Sequence, residues 1–364
     1  MSRVRVAVPP WAWPILGIGV ASRLFSSGLI IAATPEAPRW PLLTDSLTPF
    51  TAWDAQWFLH IAGSGYHAEP LFSSGHVVYH DFAFFPGWPL LVRALSVNGA
   101  LEAPVVAVAA ANILLVLALI PVCAVLRRAY SGATAQRATA AIAFAPPAYV
   151  GSLAYSEALF LLLGAVFFAT SAPAHRPWLA AAAQLTRLPG SALSVAAGVG
   201  AIGHGVRPVA AITVLAGPAV FLGWCAFVWM LTGDPLGYLR GSPSWYAEAQ
   251  PVGIAGVVSA LVPASPYSLV AASFVLAVLI GALLLLPRHP ALGAYSLVTV
   301  AATLFFADWV SMPRHSWLAF PAIAHLVAVL DRRRARTSTA LLGVFAAAQA
   351  VLVVGSIKWG SFPP

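Results

Sequence analysis

The chain has 364 residues, of which 60% are apolar and only 8% are Asp, Glu, Lys or Arg, and its mean hydropathy is +0.86. A soluble domain carries about 25% charged residues, so a water-soluble enzyme, a disordered chain and a disulfide scaffold are excluded. A porin-type barrel is excluded too, because its lumen needs alternating polar positions. What fits is an all-α polytopic membrane protein, one transmembrane domain over 1–364, with room for about ten spans of roughly 20 apolar residues each.

The formal net charge of +8 does not point to nucleic acid, since the cations sit mostly between apolar stretches, where they report orientation. Cys123 and Cys225 lie inside apolar runs, which argues against a structural disulfide or a thiolate metal site. The first apolar run, from Trp11 to Ala33, lacks a convincing cleavage site and is read as a retained span. Further spans are predicted near 102–126, 137–153, 155–172, 178–203, 209–231, 266–287, 291–309, 316–330 and 338–357. Ala145-Pro146-Pro147 predicts a bent or half-length helix, and Leu188-Pro189-Gly190 predicts two short segments dipping in and back.

With a cytoplasmic N-terminus, twelve of the 19 basic residues fall in cytoplasmic loops, the positive-inside pattern. Arg39, Arg93, Arg187, Arg240, Arg314 and Lys358 fall on the opposite side, and Arg23 lies within the first span. Ten of the 11 acids also gather on the outer side, with Asp331 inside. Either the outer loops are simply longest, or the outer face holds a polar reaction chamber.

Residues 34–97 form the first extracytoplasmic loop and 232–265 the second. Loops as long as the first are usually functional or carry structure of their own. Within it, 51–62 has helical character, with Thr51 as a plausible N-cap and Asp54 in the first turn, where the helix dipole favours a carboxylate. Trp53, Trp57 and His60 share one face, and Asp54, Phe58 and Ile61 a neighbouring one. This predicts a short amphipathic helix at the membrane surface. The aromatic run from Tyr79 to Pro89 follows; its His80 and Asp81 lack the companions a metal site needs, so no metal is expected.

The run W-D-A-Q-W-F-L-H-I-A-x-x-G-Y (53–66) with F-A-F-F-P-G-W-P-L-L-V-R (82–93) resembles the first luminal loop of GPI mannosyltransferase 2, the PIG-V family, and its bacterial relatives. Similar segments follow in order: A-Y-S-E-A-L-F (154–160), T-R-L-P-G (186–190), T-G-D-P-L-G-Y-L-R (232–240) and P-R-H-S-W-L-A-F-P (313–321). The resemblance implies a GT-C glycosyltransferase of about ten or eleven transmembrane helices, with a catalytic Asp in the first outer loop. It implies an inverting transfer of mannose from polyprenyl-phosphate mannose to an extracytoplasmic glycolipid or glycan, giving an α-mannoside. The Arg-rich, nearly Lys-free composition suggests a bacterial cytoplasmic membrane.

Such chemistry needs a general base for the acceptor hydroxyl, and Asp54 is the expected one, with Asp81 as second candidate. The departing phosphate needs fixed donors; Arg314 and His315 lead, with Arg187 and Arg240 secondary. An Arg fork binds two phosphate oxygens at once. Trp53, Gln56, Trp57, His60, Tyr66, His80 and Glu157 complete the expected substrate-binding or acid/base set. Glu157 and Asp308, near apolar runs, are expected to pair with outer arginines; Trp245 is a further aromatic for a sugar ring. Membrane lipids are the remaining expected partners, with no nucleic acid and no cofactor. The rival readings are a transporter or flippase of lipid-linked sugars, which would place ionisable groups near mid-bilayer, and a non-catalytic membrane subunit.

Overall fold

The computed structural model describes residues 9–34, 47–67, 71–73, 76–79, 81–202, 208–238, 258, 265–306, 310–333 and 335–358. The expectations for His80, Arg240, Trp245 and Asp308, and for most of the second outer loop, lie outside the described residues. The described chain is a helical bundle: α1 (Ala12–Ala33), α2 (Asp54–Ser64), α3 (Gly87–Leu95), α4 (Ala103–Leu126), α5 (Gly132–Ala143), α6 (Glu157–Ala169), α7 (Arg176–Thr186), α8 (Ser191–Ala201), α9 (Pro208–Thr232), α10 (Pro266–Leu285), α11 (Pro290–Phe306), α12 (Met312–Trp317), α13 (Phe320–Arg333) and α14 (Ala335–Lys358). The outer loop adds an antiparallel pair that the sequence reading did not anticipate, β1 (Leu71–Ser73) with β2 (His76–Tyr79), registered Phe72 to Val77 and Ser73 to His76.

Among the described residues, five helices are long and apolar enough to cross a membrane, within α1, α4, α9, α10 and α14. A sixth candidate is the pair Pro146–Ser152 and Glu157–Ala169, bent by 105°. The remaining apolar runs form shorter helices. Hydropathy locates such runs but does not say whether proline and glycine divide them.

The Pro146–Pro147 break shows how the bundle tolerates irregular backbone. A residue before proline avoids helical geometry; α5 stops at Ala143, Ala145 is extended at ψ 150°, and Pro146–Ser152 is a 3-10 turn. The carbonyls released there must find donors inside the protein. Trp317 Nε1 donates to Ile142 O at 2.9 Å, Arg23 Nη2 to Ala143 O at 3.4 Å, Gln349 Nε2 to Ala145 O at 3.0 Å, and Arg23 Nη1 to Ala148 O at 3.0 Å. Three separate helices thus form a polar collar around one broken segment. Gly151 leaves the room: a Cβ there would lie 3.2 Å from Arg23 Nη1 and 2.5 Å from Leu115 Cδ2.

The outer loop is stitched to the strand-like turn that follows the break. Ala154 N donates to Phe50 O at 2.9 Å, and the buried Trp88 indole donates to Ala154 O at 2.9 Å. Those two bonds bring the start of α2 beside Tyr155, Ser156 and Glu157.

Candidate active site

Asp54 is the first residue of α2, where the partial positive charge of the helix N-terminus favours a carboxylate. The cap differs from expectation. Thr51 donates its hydroxyl to Leu47 O at 3.1 Å, within the preceding turn, and Trp53 occupies the cap position with φ 55° and no side-chain cap bond. A bulky residue at positive φ costs of order 1–3 kcal/mol and persists only where its surroundings impose it. The buried side of α2 carries Phe58 and Ile61, and the Phe58 ring meets Phe84 at 5.0 Å and Tyr155 at 6.4 Å. Trp57 stacks on Phe84 at 6.1 Å, so it is part of the loop's packing. Gln56 and His60 are exposed. Gly65, at φ 82°, ends the helix.

Arg314 reaches Asp54 from α12: its Nη1 lies 2.7 Å from Asp54 Oδ2. The same guanidinium sits 5.3 Å from the centre of the Tyr155 ring, and its Nε is 4.0 Å from Glu157 Oε1. Glu157 is the first residue of α6 and is 0% exposed. Its Oε1 is also 2.9 Å from Arg187 Nη1, which donates to Ser156 Oγ at 2.8 Å. Two carboxylates at helix N-termini and two guanidiniums therefore alternate in one row, Asp54, Arg314, Glu157, Arg187. The pairing expected for Glu157 with an outer arginine is present.

Local sequence explains how Arg187 arrives there. α7 ends at Thr186, Arg187 is extended at φ −159° and ψ 152°, and Leu188–Gly190 form a 3-10 turn. The chain folds back so tightly that a Cβ on Gly190 would lie 2.3 Å from Gln184 N and Cα. Only glycine permits that approach. Burial pushes the Arg187 guanidinium below its usual range, and the neighbouring Glu157 opposes the shift.

His315, beside Arg314, is half-buried as a residue, but its Nε2 is sealed from solvent and lacks a hydrogen-bond partner. Burial, then Arg187 and Arg314, hold it well below the ordinary histidine range. That shift favours the neutral ring, which can still offer an N–H as a donor.

Asp81 is engaged elsewhere. It is buried, its Oδ2 accepts the His67 backbone N–H at 2.9 Å, and the same oxygen faces His67 Nδ1 at 3.1 Å. His67 stacks on His60 with centroids 4.6 Å apart. Tyr66 donates to Phe84 O at 2.8 Å, and burial followed by Asp81 pushes its hydroxyl pKa up. The sequence reading passed over His67, Ser156 and Tyr155 as members of these groupings. Tyr155 and Ser156 stand in the 154–160 motif and His67 directly follows the 53–66 motif, and that placement was their signal.

A small pocket of about 10 Å³, room for about one water, lies among Trp53, Arg314, Tyr155, Tyr149, Tyr267 and Leu352. Apart from Arg314 its walls are apolar or aromatic.

Residues 40–179 match the family model described as Mannosyltransferase (PIG-V); that stretch holds the motifs at 53–66, 82–93 and 154–160, while those at 186–190, 232–240 and 313–321 lie beyond it. No curated protein matches the chain. Among solved structures, the Archaeoglobus fulgidus oligosaccharyltransferase in its apo form is similar with a TM-score of 0.52, at 13% identity over 94% of this chain and 56% of that one. The same enzyme tethered to an acceptor peptide gives 0.50 at 12% identity, over 95% of this chain and 56% of that one. The chain thus spans little more than half the length of these structures, and the likeness is one of fold. The chain shares the helical-bundle fold of that enzyme, and its apolar helices make it a multi-pass membrane protein.

Proposed function

We propose that this GT-C-type, PIG-V-like protein is an inverting mannosyltransferase, working on the extracytoplasmic face of a bacterial cytoplasmic membrane with its N-terminus inside. It takes mannose from polyprenyl-phosphate mannose and delivers it to a glycolipid or glycan. The observation that carries the reading is the meeting of the Asp54 carboxylate and the Arg314 guanidinium at 2.7 Å, beside a small pocket otherwise lined by apolar and aromatic residues.

In this reading the donor's phosphate takes the fork of Arg314. Asp54, released from that ion pair, accepts the proton of the acceptor hydroxyl. The hydroxyl oxygen bonds to the anomeric carbon as the bond from that carbon to the phosphate oxygen breaks. The electron pair leaves on polyprenyl phosphate, where Arg314 meets the growing charge. One base suffices, because the leaving group departs as a stable anion; hydrolysis of an ordinary glycoside needs a second carboxyl group. Attack opposite the leaving group converts a β-linked donor to an α-mannoside, and the steps balance without a cofactor. His315 contributes a neutral donor, and Arg187 supports the phosphate end.

The test is incubation of the purified protein with polyprenyl-phosphate mannose and a panel of glycolipid and glycan acceptors. Transfer by the wild type and none by Asp54→Asn is the expected result. Donor binding with no transfer to any acceptor would turn the reading toward a carrier of lipid-linked sugars.

A further inference from the structure

The carboxylate of Glu157 is the most deeply sealed charge in this group. It is 0% exposed, and neither oxygen has a hydrogen-bond partner of good geometry even though Arg187 Nη1 stands 2.9 Å from Oε1. An acid buried so completely does not touch a substrate. Nor is it an efficient structural ion pair, since a buried pair offsets its desolvation only when the remaining lone pairs are also satisfied.

Its placement explains the cost. One oxygen, Oε1, faces two guanidiniums, Arg187 at 2.9 Å and Arg314 at 4.0 Å. Without an anion between them, two such groups repel and turn apart. We infer that Glu157 is a positioning residue, a sealed carboxylate that yokes Arg187 and Arg314 side by side so that both guanidiniums present donors to the incoming phosphate. The inference rests on the phosphate-binding role proposed above for Arg314. Ser156 anchors the outer member by accepting from Arg187 Nη1, and α6 places the carboxylate at its own positive end.

The inference has a sign that electrostatics alone does not share. Removing the negative charge makes the site more cationic, which by itself tightens anion binding. Loss of the yoke weakens it. The measurement is the affinity of the full-length protein in detergent micelles for undecaprenyl monophosphate. Glu157→Gln is expected to weaken binding about tenfold, within the coupling range of contacting charged residues, and Glu157→Asp, which keeps the charge, to recover most of that loss. Glu157→Gln with Arg187→Gln leaves no uncompensated buried charge, so the pair folds even where a single variant does not. It is expected to bind no more weakly than Arg187→Gln alone.

Unchanged or tighter binding by Glu157→Gln, or a double variant whose loss is the full product of the two singles, overturns the inference. Arg314→Ala separates the two levels of the argument. Wild-type affinity in that variant removes the phosphate-binding role itself. Lost affinity there, with Glu157→Gln at the wild-type value, removes only the yoke.

Discussion

Arg23 and Arg314 are the same residue used in opposite ways. Arg23 lies inside α1, is 5% exposed, and directs all three nitrogens at neutral oxygens: Ser22, Ser26 and Ser152 hydroxyls and the carbonyls of Ala143 and Ala148. Arg314 lines a small pocket and faces the carboxylates of Asp54 and Glu157. A carbonyl in a broken helix cannot move away, so Arg23 is locked to the fold. A carboxylate can be exchanged for another anion, which is what the phosphate-binding role proposed for Arg314 requires. The difference also bears on the transporter reading, which would use a mid-bilayer charge as a carrier site. Arg23 instead closes the Pro146–Pro147 break.

The comparison can be broken most sharply at Asp54. Replacing it with Asn keeps the shape and removes the base; transfer should fall by about 10²–10⁴-fold, the usual worth of general-base catalysis, while the detergent-solubilised protein melts near the wild-type temperature. Retained turnover would take Asp54 out of the mechanism. Arg314→Lys comes next. It keeps the charge and loses the fork, and kcat/KM for the lipid donor should drop by about 10²-fold, as when a transition-state donor is removed.

Arg23→Leu should do the reverse. It orphans the carbonyls of Ala143 and Ala148, each costing roughly 1–3 kcal/mol, so thermal unfolding in detergent should move to a clearly lower temperature. Activity per folded molecule should hold. Loss of activity without loss of stability would make Arg23 part of the site and erase the contrast with Arg314.

How much of this was readable in the sequence follows the range of the forces involved. The breaks at 145–147 and 188–190 were legible because proline and glycine act on their own backbone. Asp54 at the start of a short helix was legible for the same reason, through the dipole and the register of Phe58 and Ile61. Thr51 as the cap was not correct, because tertiary packing places Trp53 at positive φ and leaves the Thr51 hydroxyl to Leu47. The row from Asp54 to Arg187 draws on four separate segments, and no local pattern says that α12 will meet α2. Among the described residues five helices and one bent pair are long and apolar enough to cross a membrane, where the sequence reading placed about ten runs, and several of the other runs form shorter helices.

The smallest expected effect concerns His315 and is one of pH. Its folded-state pKa lies well below the ordinary value because burial and the two arginines oppose a further charge. The unfolded chain, with a histidine near about 6.5, therefore binds more protons than the folded one as pH falls through that value. Stability should rise with pH through this window and be lost progressively below it. Asparagine at 315 cannot take up the proton, so His315→Asn should flatten that part of the melting-temperature profile between about pH 7.5 and about pH 5, with a difference that shrinks to nothing at the alkaline end. The same variant also reads the site. If the imidazole acts only as a neutral donor, the acid limb of kcat/KM should keep its midpoint when Asn supplies an N–H in its place; a midpoint that moves would mean that protonated His315 takes part, and that the two guanidiniums oppose its charge less than their placement implies.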